Sequence, residues 1–279
     1  MRIYLDCYPC YLNQALRASR LVGADEEQQK RVLERVLDEL KDLNLGRTPP
    51  EIGARVHEIV RDELDVEDPY REVKEHSTKE ALSLLPRLEG VLDDSDDELD
   101  TAIRLSIAGN IIDFAPNHEY VLWETVERVL DQPFAIDDRD PFHQALSEAE
   151  RVLYLADNAG ETVFDRVLIE RLDRPVTYAV KGAPILNDAT REDAEAAGID
   201  EVAEIVSNGS RGPGTILSEC SPSFRERFER AEIVIAKGQA NYETLSDAGP
   251  SVFFLLQIKC AVIGEDIGAP QGSIVLKQG

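Results

Sequence analysis

Acidic and amide residues directly follow an apolar run in the segment Asp157-Asn158-Ala159-Gly160-Glu161. The run before it, 152–156, is typical of a buried strand, so it is expected to deliver a carboxylate and an amide to one edge of a sheet. Oxygen ligands of this kind suit Mg²⁺, Mn²⁺ and similar hard divalent ions. The alternative interpretation is an Asx turn that caps the helix predicted over 162–172.

Other predicted strand ends carry groups that complement this one. Strand 175–180 leads into Lys181 and the segment that ends at Asn187-Asp188, and strand 233–236 leads into Lys237-Gly238. A third run, 204–206, leads into a glycine-rich loop that includes Ser207, Asn208 and Gly209 and is able to offer backbone N–H groups to an anion. Asp188 also fits the N-cap position of a following helix. Acidic metal ligands facing cationic and amide phosphate binders explain the whole set better than capping alone.

The segments DNAGE, PILNDAT and KGQANYE, in this order, resemble the signature of the damage-control phosphatases, which are metal-dependent enzymes. The upstream segment AGNIID resembles the same family's GN-x-x-D element, and Cys7 and Cys10 resemble its small stand-alone prokaryotic and archaeal subgroup. The resemblance spans nearly the whole chain. It implies a helical N-terminal portion followed by a Rossmann-like α/β/α portion.

The resemblance also implies roles for individual residues. Metal is expected at Asp157, Asn158 and Asp188, and phosphate contact at Lys237. The remaining candidates divide into catalytic residues Asn110 and Asp113 beside Asp157 and Lys237, phosphate-binding residues Gly238, Ser207, Asn208, Gly209 and Glu161, and the secondary residues Cys7, Cys10 and Asn187. Without the resemblance, Asn110 and Asp113 are interpreted as a helix C-cap and a surface acid. Whether Asp157 is also a nucleophile stays open.

The chain has four cysteines, Cys7, Cys10, Cys220 and Cys260, which are too few and too scattered for a disulfide framework. Only Cys7 and Cys10 have C-x-x-C spacing, and a Cys₄ zinc site usually brings two such pairs. Free buried thiols, a cysteine-bound metal or cluster, and a role in shaping the site are all open interpretations. Among the histidines, only His118 follows a site candidate closely.

Hydrophobic periodicity divides the chain into two parts. Apolar i, i+3, i+4 spacing predicts helices over 14–22, 26–43, 50–64, 69–85 and 98–110. From about residue 146 the rhythm becomes strand, loop and helix, which indicates a mostly parallel sheet. We therefore predict an α/β protein with a helical domain over 1–140 and a Rossmann-like three-layer α/β/α domain over 141–279. Segments 251–263 and 273–276 are predicted as late strands, and antiparallel pairing of one of them stays open.

Composition limits the partners. The formal net charge is −25, and such an acidic surface repels nucleic acids and anionic membranes, so neither is expected as a partner. No run approaches the roughly 18–20 apolar residues that a membrane span needs, and residues 1–6 lack a secretory core, so a cytoplasmic location is expected. The sequence does not reveal the oligomeric state.

The predicted function is a phosphatase that hydrolyses small phosphorylated metabolites, with metabolite damage control as the expected context. It uses one divalent cofactor, Mn²⁺, Mg²⁺, Co²⁺ or Ni²⁺. The alternative is a non-catalytic, Rossmann-like metal- or nucleotide-binding protein. A G-x-G-x-x-G loop after the first predicted strand would favour the alternative, and 157–161 is not such a loop.

The charged residues also predict the medium in which the chain folds. Of its 30 basic residues only eight are lysines, and 55 residues are acidic. Acidic excess with arginine replacing lysine predicts a halophilic protein, the alternative being an ordinary acidic protein encoded with a GC-rich codon bias.

We expect the fold to require high salt, because about 10 mM salt extends the Debye length to roughly 30 Å and removes the screening of like charges. Circular dichroism during dialysis from molar to about 10 mM salt measures this. A cooperative fold that survives unchanged contradicts the halophilic interpretation.

Overall fold

The computed structural model describes the backbone of residues 1–111 and 119–279 and the side chains outside 111–122. The candidates Asp113 and His118 lie outside the described residues, so their roles stay predictions.

Helices and strands alternate through the second half of the chain, as the periodicity predicts. The helices are α1 (Cys7–Leu21), α2 (Glu26–Lys41), α3 (Pro49–Leu64), α4 (Arg71–Asp93), α5 (Glu98–Ile111), α6 (Glu119–Asp131), α7 (Arg139–Glu148), α8 (Thr162–Ile169), α9 (Arg191–Ala196), α10 (Pro222–Glu229), α11 (Gly238–Leu245) and α12 (Ala261–Ile267). The strands are β1 (Phe134–Asp137), β2 (Val152–Leu155), β3 (Val176–Val180), β4 (Glu204–Ser207), β5 (Ile233–Lys237), β6 (Val252–Gln257) and β7 (Ile274–Gln278).

The strands form one sheet in the order β1-β7-β6-β5-β2-β3-β4. All neighbours are parallel except β6 and β7, which confirms the predicted mostly parallel α/β fold with one antiparallel late strand. β2 pairs with β3 on one side and β5 on the other. The chain order reverses at β2, and ligands of open α/β sheets bind in the crevice outside the carboxyl ends of strands at such a point.

Three apolar cores hold the layers together. Helices α4 to α8 contribute the residues packed against one face of the sheet, and α10 to α12 contribute those against the other. Helices α1, α2 and α3 enclose a separate core with Ile3. Helices α4 to α6, which precede residue 140, share their core with the sheet. The predicted domain boundary near residue 140 stays a prediction.

Two local differences from the sequence prediction have simple causes. β1 lies in the Asp- and Pro-rich segment 131–141, next to the predicted domain boundary; its half-buried residues alternate with exposed ones, and the strand pairs with β7 at the sheet edge. The predicted late strand over 251–263 is wrong beyond 257, because α12 begins at Ala261 within the same apolar run. A short apolar run does not distinguish a buried strand from a buried helix.

No helix within the described ranges has both the length and the apolar character needed to cross a membrane.

Helix α5 approaches α8 so closely at Gly109 that a side chain there has no room. A Cβ atom at Gly109 would lie 2.9 Å from Cβ and Cγ of Phe164, whereas one at the exposed Gly90 of α4 would meet nothing within 4 Å. The close approach therefore depends on glycine at position 109.

Gly109→Ala is expected to lower the free energy of unfolding by about 1–3 kcal/mol, because overpacking outweighs the better helix propensity of alanine. Gly90→Ala is the matched control and should raise that free energy by about 0.5–1 kcal/mol. Urea unfolding of both variants measures the difference. Equal stabilisation by the two substitutions would contradict this account of the contact.

Candidate active site

The polar residues that follow β2, β3 and β5 lie at one edge of the sheet. Asp157 follows the end of β2, Asp188 lies in the loop after β3, and Lys237 is the last residue of β5. Parallel pairing of these strands brings their carboxyl ends together, as the sequence analysis expects.

Backbone contacts hold the loop after β2 against the loop after β3. Asn158 and Asp188 form an isolated antiparallel bridge. On either side of it, Ala159 N donates to Asn187 O at 2.8 Å and Ala189 N donates to Asp157 O at 2.8 Å. The three predicted metal ligands therefore lie next to one another, although Asp188 is remote from the other two in sequence.

The amide side chains of Asn110 and Asn158 hold the carboxylates of Asp157 and Glu161 in place. Asn110 Nδ2 donates to Asp157 Oδ2 at 2.8 Å and to Glu161 Oε2 at 3.0 Å. Asn158 Nδ2 donates to the same two oxygens, at 3.1 Å each. Asn110 thus joins α5 to the edge of the sheet and orients Asp157 and Glu161 from outside their own loop.

Lys237 lies behind these carboxylates and is fully buried. Its Nζ donates to Glu161 Oε1 at 2.6 Å, Asp165 Oδ1 at 2.5 Å and the backbone oxygen of Ser106 at 3.1 Å. These three acceptors engage all three hydrogens of the ammonium group. A phosphate contact from Lys237 stays a prediction, and it would need one of these bonds to break.

Asp165 also belongs to this site, although none of the sequence motifs contains it. Tyr154 and Tyr178 each donate a hydroxyl hydrogen to it at 2.7 Å, and Ser106 Oγ donates at 3.1 Å. Burial raises the pKa of Asp165, and the Lys237 ammonium opposes that rise. Its spacing of four residues from Glu161, on the same face of α8, is the signal that could have found it.

Gly238 permits β5 and α11 to meet beside Asp157. Its φ of +77° lies in the left-handed region, and a Cβ atom there would come 1.8 Å from Asp157 Oδ2. Glycine is therefore required at position 238, because a side chain there would collide with the Asp157 carboxylate. Phosphate binding by this turn stays a prediction.

The site concentrates negative charge away from water. Burial, followed by the charges of Glu161 and Asp188, raises the pKa of Asp157 well above its usual value. Burial also raises the pKa of Asp188, against the lowering effect of the Lys181 ammonium 3.3 Å away. Lys181 additionally donates to the backbone oxygen of Gly214. A nearby positive charge favours the ionised form of such carboxylates.

Two buried oxygens of the site have no hydrogen-bond donor within the described residues. They are Asn110 Oδ1 and Asp188 Oδ2, the latter facing Lys181 only as an ion pair. Asp157, Asn158 and Asp188 supply the hard oxygen atoms that a divalent cation prefers. No three His, Cys, Asp or Glu side chains of the described chain are placed to hold a metal by themselves, and a metal at Asp157, Asn158 and Asp188 stays a prediction.

A cavity of about 380 Å³ opens above this donor set. Its walls come from α1, α3, α11 and the segment around 259–262, and they include Gln239, Glu243 and Lys259. Cys7, Cys10 and Cys260 line the same cavity, whereas Cys220 is buried elsewhere. Burial raises the pKa of both Cys7 and Cys10, which favours protonated thiols there.

The glycine-rich loop is a less direct part of the site. Ser207, Asn208 and Gly209 do not line the cavity with Asp157, although Pro213 of the same loop does. Asn208 N donates to Val180 O at 2.8 Å and Gly209 N to Ser207 Oγ at 3.1 Å. These amides serve the loop's own structure, and phosphate binding by them stays a prediction.

A second cavity, of about 390 Å³, lies between α4 and α9. Its buried Lys74 pairs with Asp68 and Asp193 at 3.0 Å each, so that charge is already compensated. The uncompensated carboxylates favour the cavity above Asp157 as the active site.

Relatives with similar sequences occur among archaea. A damage-control phosphatase of Archaeoglobus fulgidus is 35% identical, with 99% of each chain covered. A damage-control phosphatase of Pyrococcus horikoshii is 34% identical, over 99% of this chain and 97% of the relative. The crystal structure of a DUF89 family protein from Pyrococcus horikoshii matches with a TM-score of 0.92 at 32% identity, covering 100% of this chain and 99% of that one.

The model of the damage-control phosphatase ARMT1-like domain matches residues 3–275. Because that match spans nearly the whole chain, the protein belongs to the ARMT1-like damage-control phosphatase family, and Asp157, Asn158 and Asp188 lie together at one of its cavities.

Proposed function

We propose that this chain is a divalent-metal-dependent phosphatase that hydrolyses small phosphorylated metabolites. Membership in a phosphatase family supports the reaction class. A cavity of about 380 Å³ falls within the size range of small-molecule sites. The surplus of negative charge on the chain disfavours a long polyanion as substrate and leaves a small phosphorylated molecule as the expected one.

One observation carries the metal part of the proposal. Four buried carboxylates, Asp157, Glu161, Asp165 and Asp188, face two buried ammonium groups, Lys181 and Lys237. With every group ionised, two formal negative charges remain, and one divalent cation balances them. An unpaired buried charge has a large cost in free energy. A bound cation would remove that cost by balancing the two excess carboxylate charges.

The residues that would hold the ion are Asp157, Asn158 and Asp188. Once bound, a divalent metal polarises a phosphoryl oxygen and lowers the pKa of a coordinated water. Mg²⁺, Mn²⁺, Co²⁺ and Ni²⁺ remain the candidates, since all of them accept carboxylate and amide oxygens.

The chain's own residues position this site. Asn110 and Asn158 orient the Asp157 carboxylate through their amide hydrogens. Lys237 binds both Glu161 and Asp165, and we assign it the task of holding those carboxylates in place. Catalysis then depends mainly on positioning and charge, as phosphoryl transfer generally does.

Lys259 is the cavity's source of positive charge toward a phosphate. It lines the cavity, its side chain is exposed, and its charge lowers the pKa of Asp157. An ammonium so placed can neutralise a non-bridging phosphate oxygen. Unlike Lys237, it is not enclosed by carboxylate partners.

We expect chelated wild-type protein to hydrolyse a panel of phosphorylated metabolites only after Mn²⁺, Mg²⁺, Co²⁺ or Ni²⁺ is restored. Asp188→Asn should weaken metal binding by at least about 10-fold, because it removes an anionic ligand and keeps its shape. Excess metal should then recover part of the activity. Calorimetric metal titration and phosphate release measure the two effects.

The matched control is Asp173→Asn, since the Asp173 side chain is fully exposed and its φ of 50° suits asparagine. It should bind metal and hydrolyse substrates like the wild type. Full activity of the chelated wild type, or unchanged metal affinity in Asp188→Asn, contradicts the proposed metal site.

Asp165→Asn is expected to lower the free energy of unfolding by about 3–5 kcal/mol, because it removes a charged partner of the buried Lys237. The two tyrosine hydroxyls also lose their anionic acceptor. Thermal and urea unfolding measure the loss, with Asp173→Asn again the control, expected within about 0.5 kcal/mol of the wild type. Equal stability of the two variants would show that Asp165 does not hold the network.

A further inference from the structure

Glu243 lies on the wall of the active-site cavity and has no role in the site described so far. It is half-buried on α11, one turn beyond Gln239, and lines the cavity together with Asp157 and Asp188. Gln239 Nε2 donates to its Oε1 at 3.1 Å, which orients the carboxyl group. Its backbone oxygen accepts from the amino terminus of Met1 at 2.9 Å, which fixes this part of α11.

The other carboxyl groups near the reacting atoms already have tasks. Asp157 and Asp188 must be ionised to hold a cation. Glu161 and Asp165 lie against Lys237, at 2.6 and 2.5 Å. Asp6, which also lines the cavity, has an exposed side chain. Among the described carboxyl groups that line the cavity, Glu243 is thus half-buried, is not a proposed metal ligand and is not paired with a buried lysine.

The proposed reaction needs a proton donor for the oxygen that leaves phosphorus. Breaking the P–O bond of an alkyl phosphate leaves an alkoxide, which is a poor leaving group unless an acid protonates it in the transition state. Asp157 and Asp188, which would hold the cation that activates the attacking water, lie on one wall of the cavity. An acid for the departing oxygen is needed on another wall of the cavity, and α11 provides such a wall.

The surroundings of Glu243 hold protons readily. Burial raises its pKa to about 7, Asp266 adds to the rise, and Gln239 and the amino terminus oppose it. The other titratable groups near it are Cys7, Cys10 and Tyr11 on α1 and Lys259 and Cys260 before α12. An acid with a pKa near the working pH is best suited to proton transfer.

We propose that Glu243 is the general acid that protonates the leaving oxygen of the phosphorylated substrate, an inference that rests on the proposed phosphatase function. As the P–O bond breaks, the proton of the Glu243 carboxyl passes to the leaving oxygen, and a neutral alcohol forms. The water that attacks phosphorus yields inorganic phosphate and releases a proton to solvent, from which Glu243 is reprotonated. One ester and one water thus give one alcohol and one phosphate.

The decisive experiment compares two esters in the presence of the activating metal. The p-nitrophenolate group of p-nitrophenyl phosphate leaves without protonation, whereas the alcohol of glycerol phosphate requires it. Glu243→Gln should lower kcat/KM for glycerol phosphate by about 10²- to 10⁴-fold and should change it by only a few-fold for p-nitrophenyl phosphate. Glu229→Gln, at an exposed position on α10, is the matched control and should change neither.

The pH profile gives a second readout. Since the protonated carboxyl is the active form, wild-type hydrolysis of glycerol phosphate should fall as pH rises through about 7. Glu243→Gln should lack this limb, because glutamine does not titrate there. A merely structural role would not move the limb for one ester alone.

Two outcomes overturn the inference while leaving the proposed function intact. One is an equal loss on both esters by a variant whose circular dichroism matches the wild type, and the other is no loss on either. A wild type that hydrolyses neither ester with any of the four metals overturns the proposed function itself, and this inference with it.

Discussion

Burial of four carboxylates within one small region is the constraint on which the rest of this structure depends. Asp157, Glu161, Asp165 and Asp188 are all almost completely removed from water. Carboxylates in such surroundings are stable only when hydrogen-bond donors and positive charges meet them. The neighbouring elements supply those donors, and their positions follow from that requirement.

The compensation comes from several layers of the fold. Helix α5 supplies Asn110, strand β5 supplies Lys237, and the tyrosines of β2 and β3 reach Asp165. The sheet keeps these groups in register, and the core shared by α4 to α8 keeps α5 against it. The site is therefore rigid on its buried side. Its open side is the cavity lined by α1, α3 and α11, where the proposed substrate would bind.

This division explains why the two lysines at strand ends differ from the lysine in the cavity wall. Lys181 and Lys237 are buried and balance carboxylates, whereas Lys259 is exposed beside the cavity. A buried ammonium group whose hydrogens are already bonded to carboxylates cannot bind a ligand without breaking one of those hydrogen bonds. Under the proposed function, Lys181 and Lys237 stabilise the buried carboxylates and Lys259 contacts the phosphate, although all three are lysines.

The sequence by itself determined the α/β class, the mostly parallel sheet and the convergence of Asp157, Asn158 and Asp188. Strand periodicity is local, and parallel strands place their carboxyl ends at one edge, so a short pattern suffices for these. The family resemblance already named Asn110 and Cys7 as candidates, but tertiary structure decided how distant groups meet the site: Asn110 binds Asp157 across 47 residues, and Cys7 and Cys260 line one cavity. It also decided the enclosure of Lys237 and the position of Glu243, because burial and hydrogen-bond partners are properties of packing between elements, which no local spacing encodes.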